Sequence, residues 1–226
     1  MIHVKIFKFN LFQTNSVLLW DDGRKCVIVD PAFYDEDEEK EFFGFIEKNG
    51  LHPECILMTH AHFDHLFGVK PCVDRFVIPV KMGAEDIRLL KLSSQMCRPF
   101  GFREPDVSYI PDAVCEGDRI CVGTMEFEVL ETPGHSPGGR SYLCRDEKLL
   151  LSGDSLFAGT IGRTDLQDGD YDTLIESIFT KMLVLDGDTD VIPGHGPCTS
   201  IAEERTKNPM LQPFNEVEEE DTDQNE

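Results

Sequence analysis

The run Thr59-His60-Ala61-His62-Phe63-Asp64-His65 sets three imidazoles and a carboxylate within six positions, directly after the apolar triplet Ile56-Leu57-Met58. An apolar run of that kind reads as a buried strand, so the polar residues gather where the strand ends. Neutral imidazole and carboxylate are the donors that borderline ions such as Zn²⁺ take, and neither alone selects one metal. If the chain stays extended, alternation turns His60 and His62 to one side. Asp64 and His65 then lead into the next element and can face a second ion. A helix cap at Asp64 would explain one acceptor but none of the histidines.

The rest of the chain repeats the pattern. Val27-Ile28-Val29 ends in Asp30-Pro31, Leu149-Leu150-Leu151 in Ser152-Gly153-Asp154, and Val191-Ile192 in Pro193-Gly194-His195. The alternating segment from Met125 to Val129 leads to Thr132-Pro133-Gly134-His135. Core strands that end in a Gly/Pro turn carrying His or Asp are what a multi-strand metal site needs. Of the 7 histidines, only His3 and His52 lie outside these turns, and they read as ordinary structural or surface residues. Asp30 suits either of two roles, orienting a ligand imidazole or capping a turn.

Composition narrows the partners. A formal charge of −22 opposes a phosphate-binding surface, so no nucleic-acid partner is expected. The same negative shell holds cations well and slows anionic substrates. The 8 cysteines form no C-x-x-C pair and read as small buried hydrophobes of a reduced compartment. Cys198, three positions after His195, suits an outer-layer or packing role beside the site. The start of the chain interleaves lysine with apolar residues and lacks the apolar core of a signal peptide. No segment approaches the roughly 18 apolar residues of a membrane span. A cytoplasmic protein that uses no membrane is therefore expected.

Periodicity predicts strands at 2–9, 16–20, 25–30, 77–78, 119–122, 124–131, 141–145 and 148–152, and helices at 35–49, 66–76, 85–92, 171–185 and 200–206. Residues 93–105 show no clean period and read as a loop, either a lid over the site or a crossing between substructures. Strands first and helices after, twice over, suggest two β-rich halves packed together with helices outside. Residues 1–211 read as the folded domain. Residues 212–226 read as an acidic tail, since from Glu216 onward Val217 is the only apolar residue.

In order and spacing, the His60–His65 motif, Pro-Gly-His135, Gly-Asp154-Ser and Pro-Gly-His195-Gly-Pro resemble the metallo-β-lactamase-fold hydrolases. Within them the chain is most similar to the short glyoxalase II-like (hydroxyacylglutathione hydrolase-like) branch, over about residues 2–211. The resemblance implies an α/β fold, a four-layer αββα sandwich with its site at one edge of the paired sheets. It implies that His60, His62 and His135 hold one metal ion, that Asp64, His65 and His195 hold another, and that Asp154 bridges them. Asp64 carries the catalytic assignment as well. Two divalent ions, Zn first and Fe or Mn as alternatives, would share a hydroxide that attacks a small-molecule acyl thioester. A departing thiolate is a weak base, so no strong general acid is required.

Two departures from the family shape the expectation. β-Lactamases of this fold lack the bridging aspartate where Asp154 stands, which argues against antibiotic hydrolysis. The helical C-terminal domain of classical glyoxalase II has no counterpart here, which argues for weak glutathione recognition. Arg163 lies in a stretch resembling the pocket-shaping segment of this branch. It suits a carboxylate clamp or, equally in kind, a structural pair with Asp165. The competing reaction on this fold is that of a mononuclear non-haem iron persulfide dioxygenase, with His60, His135 and Asp154 as its facial triad. The Pro-Gly-His195-Gly-Pro ending favours the hydrolases.

Overall fold

The computed structural model describes residues 1–166 and 168–212. Strands β1 (Ile2–Phe9), β2 (Thr14–Asp21) and β3 (Lys25–Val29) run antiparallel. β4 (His52–Leu57), β5 (Val80–Met82) and β6 (Asp112–Ala113) then add in parallel, giving a sheet ordered β1-β2-β3-β4-β5-β6. Parallel neighbours require crossovers. Helices α1 (Glu36–Lys48), α2 (Val69–Phe76) and α3 (Ile87–Cys97) supply them. The first half therefore alternates strand and helix, rather than placing strands first and helices after as expected.

β7 (Arg119–Val122), β8 (Met125–Glu131), β9 (Arg140–Cys144) and β10 (Leu149–Gly153) form an antiparallel meander. A short hairpin of β11 (Leu156–Phe157) and β12 (Thr160–Ile161) follows, and helix α4 (Tyr171–Ser177) runs into a π-helical turn, Ile178–Met182. β13 (Asp190–Pro193) joins β10 in parallel, β14 (Thr199–Ser200) joins β13, and α5 (Ile201–Lys207) closes the described chain. The second sheet is thus ordered β14-β13-β10-β9-β8-β7.

Side-chain alternation explains why the sheets stack. Val17, Leu19, Val27, Val29, Cys55 and Leu57 of the first sheet meet Phe127, Val129, Tyr142, Leu149, Leu151 and Ile192 of the second. The alternate positions Leu18, Trp20, Cys26, Ile28 and Ile56 face the other way, onto Phe42, Phe43, Ile46, Val69 and Leu89 of the helices. Leu143, Leu150 and Val191 likewise face Leu174, Ile178 and Ile201 on the far side. Strands covered on both faces lose the apolar/polar alternation, and all of β2 is buried. Helix, sheet, sheet and helix make the expected four-layer αββα sandwich.

Several boundaries moved. Val77 is not in a strand but caps α2 in the left-handed region (φ 53), and the next strand begins at Val80. The expected loop 93–105 is helical through Cys97, because Leu89, Leu90, Ser93 and Cys97 form a buried helix face. Arg98–Phe100 is a single further turn that Gly101 ends at φ 76. The acidic first turn of α1, Glu36 to Glu39, suits the positive N-terminal end of the helix. Asp35 caps the helix, accepting from the amides of Asp37 and Glu38 at 3.0 Å each, a contribution of about 1 kcal/mol. Most of the acidic tail, residues 213–226, lies outside the described residues.

Candidate metal centre

Every strand-end turn singled out above opens onto one edge of the paired sheets. Thr59–His65 follows β4, Asp30 follows β3, Asp154 follows β10, His195 follows β13 and His135 follows β8. The two sheets are tied together there. The Asn15 amide donates to Gly194 O at 2.7 Å, Arg140 N to Thr59 O at 2.7 Å, and Tyr142 Oη to Met58 O at 2.8 Å. Asp64 does not cap a helix. It sits in the tight turn Phe63–His65, which has no side-chain cap.

The seven candidate ligands converge. His60, His62 and His135 form one close group, and Asp64, His65 and His195 form another, with donor atoms in each within 4.8 Å of one another. Asp154 lies between the groups. Its Oδ2 is 3.5 Å from His135 Nε2, 3.5 Å from His195 Nε2 and 3.9 Å from His60 Nε2, while Oδ1 is 3.6 Å from His65 Nε2. All are buried or nearly so; the most open, His195, has a side chain 26% exposed.

Oxygen acceptors outside the cluster orient four of the five imidazoles. The Thr59 hydroxyl donates to Asp30 Oδ2 at 2.6 Å, so its oxygen accepts from His60 Nδ1 at 3.0 Å. His65 Nδ1 donates to Asp30 Oδ2 at 3.0 Å, His135 Nδ1 to Arg163 O at 2.7 Å, and His195 Nδ1 to Phe12 O at 3.0 Å. Each bond points Nδ1 away from the cluster and leaves Nε2 aimed into it. His62 turns its Nδ1 inward instead, 2.8 Å from His135 Nε2.

A cation fits these residues. His60 Nε2 and Asp154 Oδ1 are buried without a hydrogen-bond partner, a costly state that a shared ion relieves. A Cβ at Gly194 would overlap Asp154 Oδ1 and crowd His65. Gly194 has no left-handed φ, so its lack of a side chain preserves space beside the cluster. Gly153 (φ 54) and Gly134 (φ 130) do need the conformational freedom of glycine.

Electrostatics divides the cluster. Burial and the neighbouring imidazoles hold His60 well below the ordinary histidine value. Burial and His135 bring His62 to about 3. His65 goes the other way. Burial opposes its charge, but Asp64, Asp154 and Asp30 outweigh burial and raise it to about 10. His195 is also raised against burial, by its bond to Asp64 and by Asp154. Burial disfavours the Asp64 carboxylate, yet His65 and His195 hold it well below the usual range. One half therefore offers neutral imidazoles, and the other mixes carboxylate with imidazolium that a cation would replace.

Asp30 performs both roles foreseen for it, capping the Thr59 amide at 2.8 Å and orienting His65. It does so from a left-handed backbone (φ 44), a strained conformation held by its surroundings. Arg163 is paired within its own loop. Its guanidinium makes a two-pronged pair with Asp165 at 2.8 and 2.9 Å, and its carbonyl orients His135. Cys198 is exposed and belongs to neither group; Cys115 and Cys121 are exposed too, whereas the other five cysteines are buried as read.

The sequence reading missed three supports. Asp86, fully buried, accepts from Ala61 N at 2.9 Å, Ser136 Oγ at 2.9 Å and Gly138 N at 2.5 Å, clasping the His60–His62 turn to the His135 turn. Arg140, also buried, pairs with Glu85 at 2.8 Å and Glu131 at 3.1 Å below that clasp. Asn10 donates to Asp64 O at 2.9 Å and Ala32 O at 3.1 Å. Each is a single polar residue with no spacing signal.

A four-layer sandwich with His/Asp metal-binding groups at its strand ends defines a metallohydrolase scaffold. Residues 9–195 match the Metallo-beta-lactamase superfamily, and the chain belongs to that superfamily. Hydroxyacylglutathione hydrolase GloC of Haemophilus influenzae is 35% identical over 93% of this chain and 98% of its own length. The probable metallo-hydrolase YqgX of Bacillus subtilis is 39% identical over 89% of this chain and 94% of its own. Among solved structures, the BLEG-1 B3 metallo-beta-lactamase superposes with a TM-score of 0.86 at 37% identity, covering 93% of this chain and 100% of its own. TTHA1623 in a di-iron-bound form gives 0.83 at 34%, covering 92% and 100%. ETHE1 from Myxococcus xanthus gives 0.76 at 27%, covering 92% and 84%. Among the described residues, no helix is long and apolar enough to cross a membrane.

Proposed function

We propose that the chain is a dinuclear metal-dependent hydrolase of acyl thioesters. The observation that carries this reading is the position of Asp154, whose two oxygens reach toward both ligand groups at 3.5 to 3.9 Å. His60, His62 and His135 would hold one ion, Asp64, His65 and His195 the other, with Asp154 serving both. When bound, two divalent ions supply a water acidified toward neutral pH and Lewis-acid polarisation of an acyl carbonyl. The residues around them do the positioning. Asp30, Thr59, Phe12 O and Arg163 O keep four of the five imidazoles in register, so the site needs little reorganisation. Water adds to the acyl carbon, the C–S bond breaks, the sulfur leaves with its electron pair, and a carboxylic acid and a thiol result.

The GloC relative supports a hydroxyacylglutathione as the first substrate to try. It matches over nearly its full length, which keeps glutathione thioesters in the panel. BLEG-1 brings β-lactams into the same panel, against the expectation drawn from Asp154. Zinc is the first metal to test, and the di-iron TTHA1623 supports iron as the second. A second reading is the persulfide dioxygenase expected as the competitor on this fold, using one iron at His60, His135 and Asp154. That reading leaves Asp64, His65 and His195 without a role.

The test assays metal-loaded protein under nitrogen on S-lactoylglutathione and a β-lactam, and in air, with an oxygen electrode, on glutathione persulfide. The hydrolase reading expects thiol release from the thioester without oxygen. Oxygen uptake with persulfide, and no thioester cleavage under nitrogen, would replace it with the dioxygenase.

A further inference from the structure

Beside Asp64 and His195 the chain gathers a wall of phenylalanines that the chemistry above does not use. Phe12, in the turn between β1 and β2, packs against Phe63, Phe100 and Phe102 with ring centroids 5.7, 5.4 and 5.5 Å away. Phe63 stands between His62 and Asp64 in the motif itself and lies 5.5 Å from Phe100. Phe63 and Phe102 are buried, yet Phe12 remains 38% exposed, Phe100 57% and the adjacent Leu11 85%. A contiguous apolar face left open beside a reactive centre marks a binding surface.

The wall is held in place. Asn10 and Gln13 adopt left-handed φ angles of 54 and 56 around the turn. Asn10 Oδ1 accepts from the Phe12 amide at 2.9 Å, while the Asn10 side-chain amide donates to Asp64 O. The Phe12 carbonyl accepts from His195. The turn is therefore fixed relative to Asp64 and His195 of one ligand group.

The charges at the rim point the same way. Arg163 is engaged by Asp165, Arg88 by Asp168 at 2.9 Å, and Arg103 by the Tyr34 carbonyl at 2.6 Å and the Tyr34 ring. With these arginines committed and a net charge of −22, a highly anionic substrate finds little to bind and a repulsive field.

We propose that Phe12, Phe63, Phe100 and Phe102 bind the apolar acyl group of the substrate, so that the preferred class is thioesters of aliphatic or aromatic acids on a small thiol of low charge. This rests on the thioester reading and specifies its substrate. Burying a methylene against such a wall strengthens binding about two- to fourfold.

The test uses metal-loaded protein and S-alkyl thioethers of N-acetylcysteamine, from ethyl to octyl, which cannot be hydrolysed. Calorimetry should show Kd falling about twofold or more per methylene. Phe100→Ala and Phe12→Ala should each flatten that dependence, whereas Phe179→Ala, exposed at 45% on α4's continuation, should leave it intact. Since Phe100 is more than half exposed, its variant keeps the fold, which circular dichroism checks. A Kd independent of chain length, or an unchanged slope in Phe100→Ala, overturns the proposal. Matching acyl thioesters separate the two claims. A thioether slope without thioester turnover keeps the wall and removes the hydrolase; turnover with length-independent Kd and kcat/KM removes the wall alone.

Discussion

His65 carries the sharpest electrostatic conflict in the cluster. It is fully buried, which favours neutral imidazole, but Asp30, Asp64 and Asp154 surround it. Its pKa of about 10 means that metal-free protein at about pH 8 holds a proton on His65. A cation taking its place at Nε2 must displace that proton. Because the folded, metal-free value is raised, apparent affinity for this half of the centre should climb with pH and level off only near pH 10. His60 and His62, held neutral, should release nothing. Calorimetric titration at about pH 8 in buffers of different ionisation heat checks this. Proton release should accompany loading of the Asp64-His65-His195 half, and release that stays the same after His65→Ala would contradict it.

At the scale of elements, the centre is an arrangement of turns that polar residues clasp. Asp86 sits where a short turn passes into α3, and it holds two metal-facing turns at once. In Asp86→Asn an amide N–H would face one of those backbone donors. The change should cost about 1–3 kcal/mol of stability and about 10–100-fold in affinity for one ion. The affected ion should be the one beside His60, His62 and His135. Chelator competition read for each ion checks it, and equal retention of both would contradict it. Asp86 also shows where sequence reading stops. The His60–His65 motif and the His135, Asp154 and His195 turns were legible because apolar strands and Gly/Pro turns frame them. Asp86 and Arg140 were not, since the partners of Asp86 lie 25 or more residues away and Arg140 reaches Glu85 and Val114 from as far. The helix through Cys97 was missed for a related reason, that packing of its buried face outweighs local propensity.

For the whole molecule, the ligands come from both sheets. His60, His62, Asp64 and His65 follow β4 of one, and His135, Asp154 and His195 follow strands of the other. Bound ions would therefore cross-link the two halves of the sandwich and neutralise carboxylates buried between them. A ligand at 100 times its Kd stabilises the folded state by about 2.7 kcal/mol. For a chain of this size each kcal/mol moves Tm by about 2–4 °C. Chelation should thus lower Tm by at least about 5 °C, measured by calorimetry before and after metal removal. An unchanged Tm would mean that the halves are held without the ions. The αββα layering was legible from strand and helix periodicity together with the family resemblance. The interleaved order of strands and crossovers was not, because sheet pairing depends on contacts far apart in sequence.

The account rests most heavily on two ions shared through Asp154. Elemental analysis of purified, metal-saturated protein tests it most directly. Two equivalents of divalent metal per chain are predicted, falling to one in His195→Ala. A wild-type protein that saturates at a single equivalent would contradict the dinuclear centre and leave the one-iron reading in its place.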